Sequence, residues 1–232
     1  MCSIAASRSS TTRIERIRSR YSASQSASVA ASIPGGTVPI QPAGHPSLRT
    51  RALPYDGQLD DDVLAALLEV MRRTMHAAPG VGLAAPQIGL PLALAVLADP
   101  GAADPETAAV RERPELPYRV LVNPAYEAVP GEEPEHVAFY EGCLSVPGLQ
   151  AVVPRLRRIR LTGTDETGEP LDEVLQGWPA RIVQHETDHL NGTLYLDRAH
   201  LRSLSTTDHL GPRWAGEPRP LEASRTLGFP LD

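Results

Sequence analysis

An α+β domain is what this sequence predicts. Two stretches carry helical periodicity, Asp60 to about Ala78 and about Pro179 to Asn191, and short apolar runs lie between them. Short runs bounded by turn residues read as strands, and strands grouped between helices fit the α+β class. The composition allows a core, since 41% of the 232 residues are apolar, close to the globular average. Aromatics are only 4%, so that core must rest mainly on Leu, Val, Ile and Ala.

Residues 1–36 are rich in Ser, Ala and Arg, hold one acid (Glu15), and end at Pro34-Gly35-Gly36. That is the composition of an organellar transit peptide; a disordered tail or an extended start is the plainer reading. Folding is expected to begin near Val38, giving a catalytic unit over 37–208. In the first helix Asp60, Asp61 and Asp62 favour the positive end of the dipole. Val63, Leu64, Leu67, Leu68, Met71 and Met75 recur at helical spacing and read as packing, and Pro79-Gly80 stops the helix.

A Gly-rich loop follows over 80–89, then an apolar strand from Leu92 to Leu97. Residues 99–117 read as a surface insertion. Tyr118 to Val122, Val137 to Tyr140, Ala151 to Val153 and Arg158 to Thr164 read as further strands. Pro179 suits the first position of the second helix and Asn191-Gly192 its end. Residues 209–232 read as a Pro/Gly-rich tail without helical period.

The net charge is −6, all 22 basic residues being Arg, and this argues against nucleic-acid recognition. Two cysteines, Cys2 and Cys143, make no disulfide framework and suit an intracellular chain. No stretch of about 18 apolar residues predicts a membrane span. The expected compartment is the cytoplasm, or an organelle if residues 1–36 are a transit peptide.

His185-Glu186-Thr187-Asp188-His189 carries the chemistry. Histidines four apart share a helix face and can bind one metal, and the Glu beside the first can reach its bound water. A zinc metallopeptidase extends this motif with a Gly and then a third His. Gly192 fits, but Tyr195 stands where that His should be. Cys143, within Glu141-Gly142-Cys143-Leu144-Ser145-Val146-Pro147-Gly148, is the natural third ligand. A lone Cys is usually a small buried residue, but Cys with two His and an open position makes a catalytic site. A structural metal domain would close all four positions.

Three segments together resemble the peptide deformylase signature: Gly80-Val81-Gly82-Leu83-Ala84-Ala85-Pro86-Gln87, Glu141-Gly142-Cys143-Leu144-Ser145 and Gln184-His185-Glu186-Thr187-Asp188-His189. The match covers roughly Val38 to Asp197. Gly177-Trp178 and Ala180-Arg181-Ile182 resemble the branch that includes organellar enzymes. The resemblance implies that the second helix is enclosed by antiparallel sheets. It also implies removal of the formyl group from N-formylmethionine on nascent polypeptides. Cys143, His185 and His189 would hold one divalent ion, Fe(II) for best activity, with Zn(II), Ni(II) or Co(II) as alternatives. Water at that ion would attack the formyl carbon, with Glu186 as acid/base and the Gln87 amide and Leu144 N–H facing the oxyanion.

Val81 and Gly82 would lie on the strand edge that pairs with the peptide, where a residue without a side chain lets substrate approach. Glu141 would also belong to the substrate cleft. Trp178 precedes His185 by nearly two helical turns, so it reads as a wall of the methionine pocket edged by Arg181 and Ile182, or alternatively as a core anchor. The ribosome surface is a further partner implied by the family. The tail after about His209 does not look like the C-terminal helix that some bacterial members carry.

Overall fold

The computed structural model describes residues 36–231. The expectations for residues 1–35 lie outside the described residues. Helix α1 spans Asp61–Ala77. Strands β1 (Gly82–Ala84) and β2 (Leu94–Asp99) follow, then a short helix α2 (Pro105–Val110) and the long strand β3 (Leu116–Ala128). Next come β4 (His136–Cys143), β5 (Val146–Leu156), β6 (Arg158–Thr164) and β7 (Pro170–Gln176). Helix α3 (Gly177–Leu190) leads to β8 (Ser205–Thr206), α4 (Thr207–Trp214) and α5 (Leu221–Leu227).

The strands form two antiparallel sheets. One runs β1-β2-β3-β6-β7 and the other β4-β5-β8. The five-stranded sheet is covered on both faces at β2 and at Val120, Leu121 and Val122 of β3, which explains why β2 reads as an unbroken apolar run. On one face Leu94, Val96, Val120 and Val122 meet Leu64, Leu67, Leu68, Met71 and Met75 of α1. On the other, Ala95, Leu97, Leu121 and Ile159 meet Ala180, Val183 and Leu190 of α3. Successive side chains of a strand point to opposite faces, so one run serves both layers. Helix α3 also touches β5 of the second sheet and is thus enclosed by both sheets, as expected.

Three sequence expectations change. The insertion at 99–117 carries α2, whose Asp104 side chain accepts from the N–H groups of Glu106 and Thr107. Strand β7 went unread because its exposed and half-buried residues alternate without strong apolar character. The segment beyond Asp208 holds α4 and α5. Leu210, Trp214, Ala223 and Phe229 are buried there against Ala138 and Val152 on the back of the smaller sheet. These helices are too short to show a clear period, and tertiary packing holds them.

Candidate metal centre and catalytic cleft

Helix α3 begins two residues earlier than expected, so Trp178 lies inside it. Gly177 makes that start possible. Its φ is +64°, and a Cβ there would lie 2.5 Å from the Glu112 carbonyl oxygen. The bare backbone lets the Trp178 N–H donate to that carbonyl at 3.1 Å, which docks the insertion onto the helix.

One helical turn separates His185 from His189, with ring centroids 4.9 Å apart. Cys143 ends β4 and comes within 3.3 Å of His189 Nε2. One donor atom from each of Cys143, His185 and His189 falls within 4.8 Å of the other two. Metal bonds of roughly 2.0–2.3 Å in a tetrahedron put donors about 3.5 Å apart, so the spacing fits one ion. The chemistry of the set fits as well. His185 Nδ1 is held at 3.1 Å by Glu141 Oε2, a carboxylate partner of the kind that orients a ligand histidine. Burial, then the charges of His185 and Arg155, holds His189 well below the ordinary imidazole range, so it stays neutral and free to ligate.

Glu141 does more than border the cleft. Arg155 binds both its oxygens, at 2.7 and 3.0 Å, and Arg181 binds Oε1 at 2.5 Å. Burial pushes its carboxyl up, but Arg155 and Arg181 outweigh that and hold it well below the usual range. Both its oxygens are engaged, Oε2 with Nδ1 of His185 among others, and the residue lines the cleft as well. Arg155 also binds Asp188 Oδ2 at 2.8 Å, and Asp188 accepts from Tyr126 and Arg198. The sequence reading missed Arg155, because a single Arg after an apolar strand carries no visible motif.

Glu186 is 4% exposed, and its Oε2 has no hydrogen-bond partner among the described residues. Burial raises its carboxyl to about 7, against the pull of the His185 and Arg155 charges. Gly82 also stands against Glu186. A Cβ there would sit 2.6 Å from Glu186 Cδ, so this glycine makes room for the carboxylate. Gln87 is 1% exposed. Its Oε1 accepts from the Ala84 N–H at 2.8 Å, which turns Nε2 toward Cys143 Sγ at 3.7 Å.

Gln87, Glu141, Cys143, His185 and Glu186 line one cavity of about 650 Å³ that also includes Val81, Gly82, Leu144, Trp178, Arg181 and Ile182. Trp178 meets Phe139 edge-on at 5.9 Å and is 9% exposed, so it packs and faces the cleft at once. Tyr195 is 1% exposed, and its hydroxyl donates to the Leu149 carbonyl. That position is a core residue, and nothing there replaces the third His of a zinc metallopeptidase.

The family model described as polypeptide deformylase matches residues 37–204. The chain belongs to the polypeptide deformylase family. Peptide deformylase 3 of Streptomyces avermitilis is 58% identical over 197 residues, which are 85% of this chain and 86% of that protein. The chloroplastic/mitochondrial peptide deformylase 1A of Arabidopsis thaliana is 39% identical over 74% of this chain and 64% of that protein. A Met-Ala-Ser-bound class I type b peptide deformylase from Acinetobacter baumannii superposes with a TM-score of 0.61. It is 34% identical and covers 71% of this chain and 99% of its own. This deformylase is a metal-dependent hydrolase that removes the formyl group from N-formylmethionyl peptides. No helix among its described residues is long and apolar enough to cross a membrane.

Proposed function

We propose that Cys143, His185 and His189 hold the ion, that Glu186 is the acid/base, and that Gln87 and Leu144 face the oxyanion. The observation that carries this reading is the unpartnered, buried Oε2 of Glu186 beside the two histidines. The ion supplies Lewis acidity, which polarises the formyl carbonyl and acidifies water. Glu186 takes the proton of the attacking water as a C–O bond forms at the formyl carbon. It returns that proton to the amine nitrogen as the C–N bond breaks, leaving formate and a free N-terminus. A carboxyl raised to about 7 suits both transfers near neutral pH. Donors aimed at the oxyanion stabilise the step between them, and the anchoring of the Gln87 amide beside Cys143 supports that role for it.

Fe(II) is the ion we propose for the cell, with Zn(II), Ni(II) and Co(II) as possible substitutes. The catalytic unit is 37–208, with 209–231 packed on its back. Bacterial relatives support a cytoplasmic site of action. Substrates emerge from the ribosome, which makes its surface a second partner in this reading. The test is deformylation of formyl-Met-Ala-Ser with metal content measured on the same sample. A metal-loaded enzyme that releases no formate overturns it.

A further inference from the structure

The insertion before β3 places a charge in the cleft that the chemistry above leaves unused. Three guanidiniums surround Trp178, with Arg111, Arg113 and Arg181 at 5.3, 5.0 and 5.6 Å from its ring centroid. Two of them are satisfied. Arg113 binds Asp99 through two hydrogen bonds of 2.8 and 3.0 Å, and Arg181 binds Glu141. Arg111 faces no carboxylate among the described residues. Its Nε donates to the Pro218 carbonyl at 2.9 Å, and its two Nη groups make no hydrogen bond there. Burial and then the neighbouring Arg113 lower its pKa, with no opposing carboxylate.

Arg111 is also held in place. Its neighbour Glu112 is docked on Gly177 by backbone and clamped by Arg157 at 2.7 Å through each carboxylate oxygen. Its own Nε is tied to the C-terminal segment. Arg111 lines the same cavity as Cys143, His185 and Glu186, and its guanidinium carbon lies 5.3 Å from the ring centroid of Trp178, another lining residue. A half-buried cation without a counter-charge, fixed in a substrate cleft, is an anion site waiting for its ligand's carboxylate.

We propose that Arg111 receives an acidic side chain at the second or third position of the substrate, so that this deformylase favours formyl-Met chains with Asp or Glu there. Trp178 precedes His185 by seven helical residues, about 10 Å along the axis. An extended chain covers that span in three residues at about 3.3 Å each. The first side chain is the apolar methionine, so the carboxylate comes from downstream. The inference rests on the cleft being the peptide channel.

The test uses peptides amidated at the C-terminus, so that the side chain carries the only carboxylate. Formyl-Met-Ala-Ser, formyl-Met-Glu-Ser, formyl-Met-Ala-Glu and their Lys counterparts are compared by kcat/KM. The enzymes are the full-length, metal-loaded wild type and its R111Q, R111K and R111E variants. Each variant is scored as a ratio to its own Ala-Ser value, so a general loss cancels. A charge-assisted pair is worth about tenfold. The wild type is expected to favour Glu over Ala about tenfold at one of the two positions. R111Q should bring that ratio near one, R111K should keep much of it, and R111E should favour Lys. A wild-type ratio near one at both positions, or an acidic preference that survives R111Q, overturns the inference. A wild type inactive on formyl-Met-Ala-Ser overturns the reading of the cleft itself, and this inference with it.

Discussion

Glu186 and Gly82 share one buried space. The carboxylate needs burial to hold its proton near neutrality, and the buried space it fills is the volume of a missing Cβ. Glu186→Gln should therefore keep one ion per chain and lose turnover by about 10²–10⁴-fold, the usual worth of a general acid/base. His185→Ala should lose the ion itself. Metal per chain and formate release on both variants separate the roles, and a Glu186→Gln enzyme with most of its activity would refute the assignment. Gly82→Ala should fold and bind metal, because β1 is a strand in which Ala is tolerated. It should lose kcat because the new methyl group displaces the carboxylate. Gly82→Ala turning over at the wild-type rate would show that the carboxylate has room to spare. A glycine motif was visible in the sequence, but its partner Glu186 lies about a hundred residues on and only the fold brings them together.

At the scale of elements, α3 was legible because its histidines, its Pro179 and its Asn191-Gly192 end each obey local rules. Strand β6 was legible for the same kind of reason, an apolar alternation between turn residues. Helices α4 and α5 were not, since their support comes from Ala138 and Val152, far away in sequence. The cluster behind the metal centre was hidden likewise: Glu141, Arg155, Arg181 and Asp188 come from β4, β5 and α3. The packing of α4 can be tested directly. Trp214 is 4% exposed and packs with Ala138 and Val152, so Trp214→Ala should cost about 3–5 kcal/mol. Urea unfolding of the metal-loaded protein measures it. A loss under about 0.5 kcal/mol, the range of an ordinary surface change, would mean that α4 adds nothing to the folded unit.

Taken as a whole molecule, the deformylase is two sheets sharing one helix, and the proposed ligand set spans the join. Cys143 comes from the smaller sheet, whereas His185 and His189 come from α3, which packs under the larger one. An ion held by all three therefore ties the two sheets together. A ligand that binds only the folded state stabilises it by mass action, about 4 kcal/mol at a thousand times its Kd. For a protein of this size each kcal/mol moves Tm by roughly 2–4 °C, so chelation should lower Tm by roughly 8–16 °C. The Cys143→Ala variant supplies the control. Without the thiolate the two histidines remain on one helix and no longer join the sheets, so its Tm should respond little to the same metal. Differential scanning calorimetry of loaded and chelated samples of both proteins makes the comparison. An equal metal-dependent shift in Cys143→Ala would mean that the stabilising ion sits elsewhere, and the link between the sheets would then rest on protein contacts to α3 such as Arg155 to Asp188 and Arg181 to Glu141.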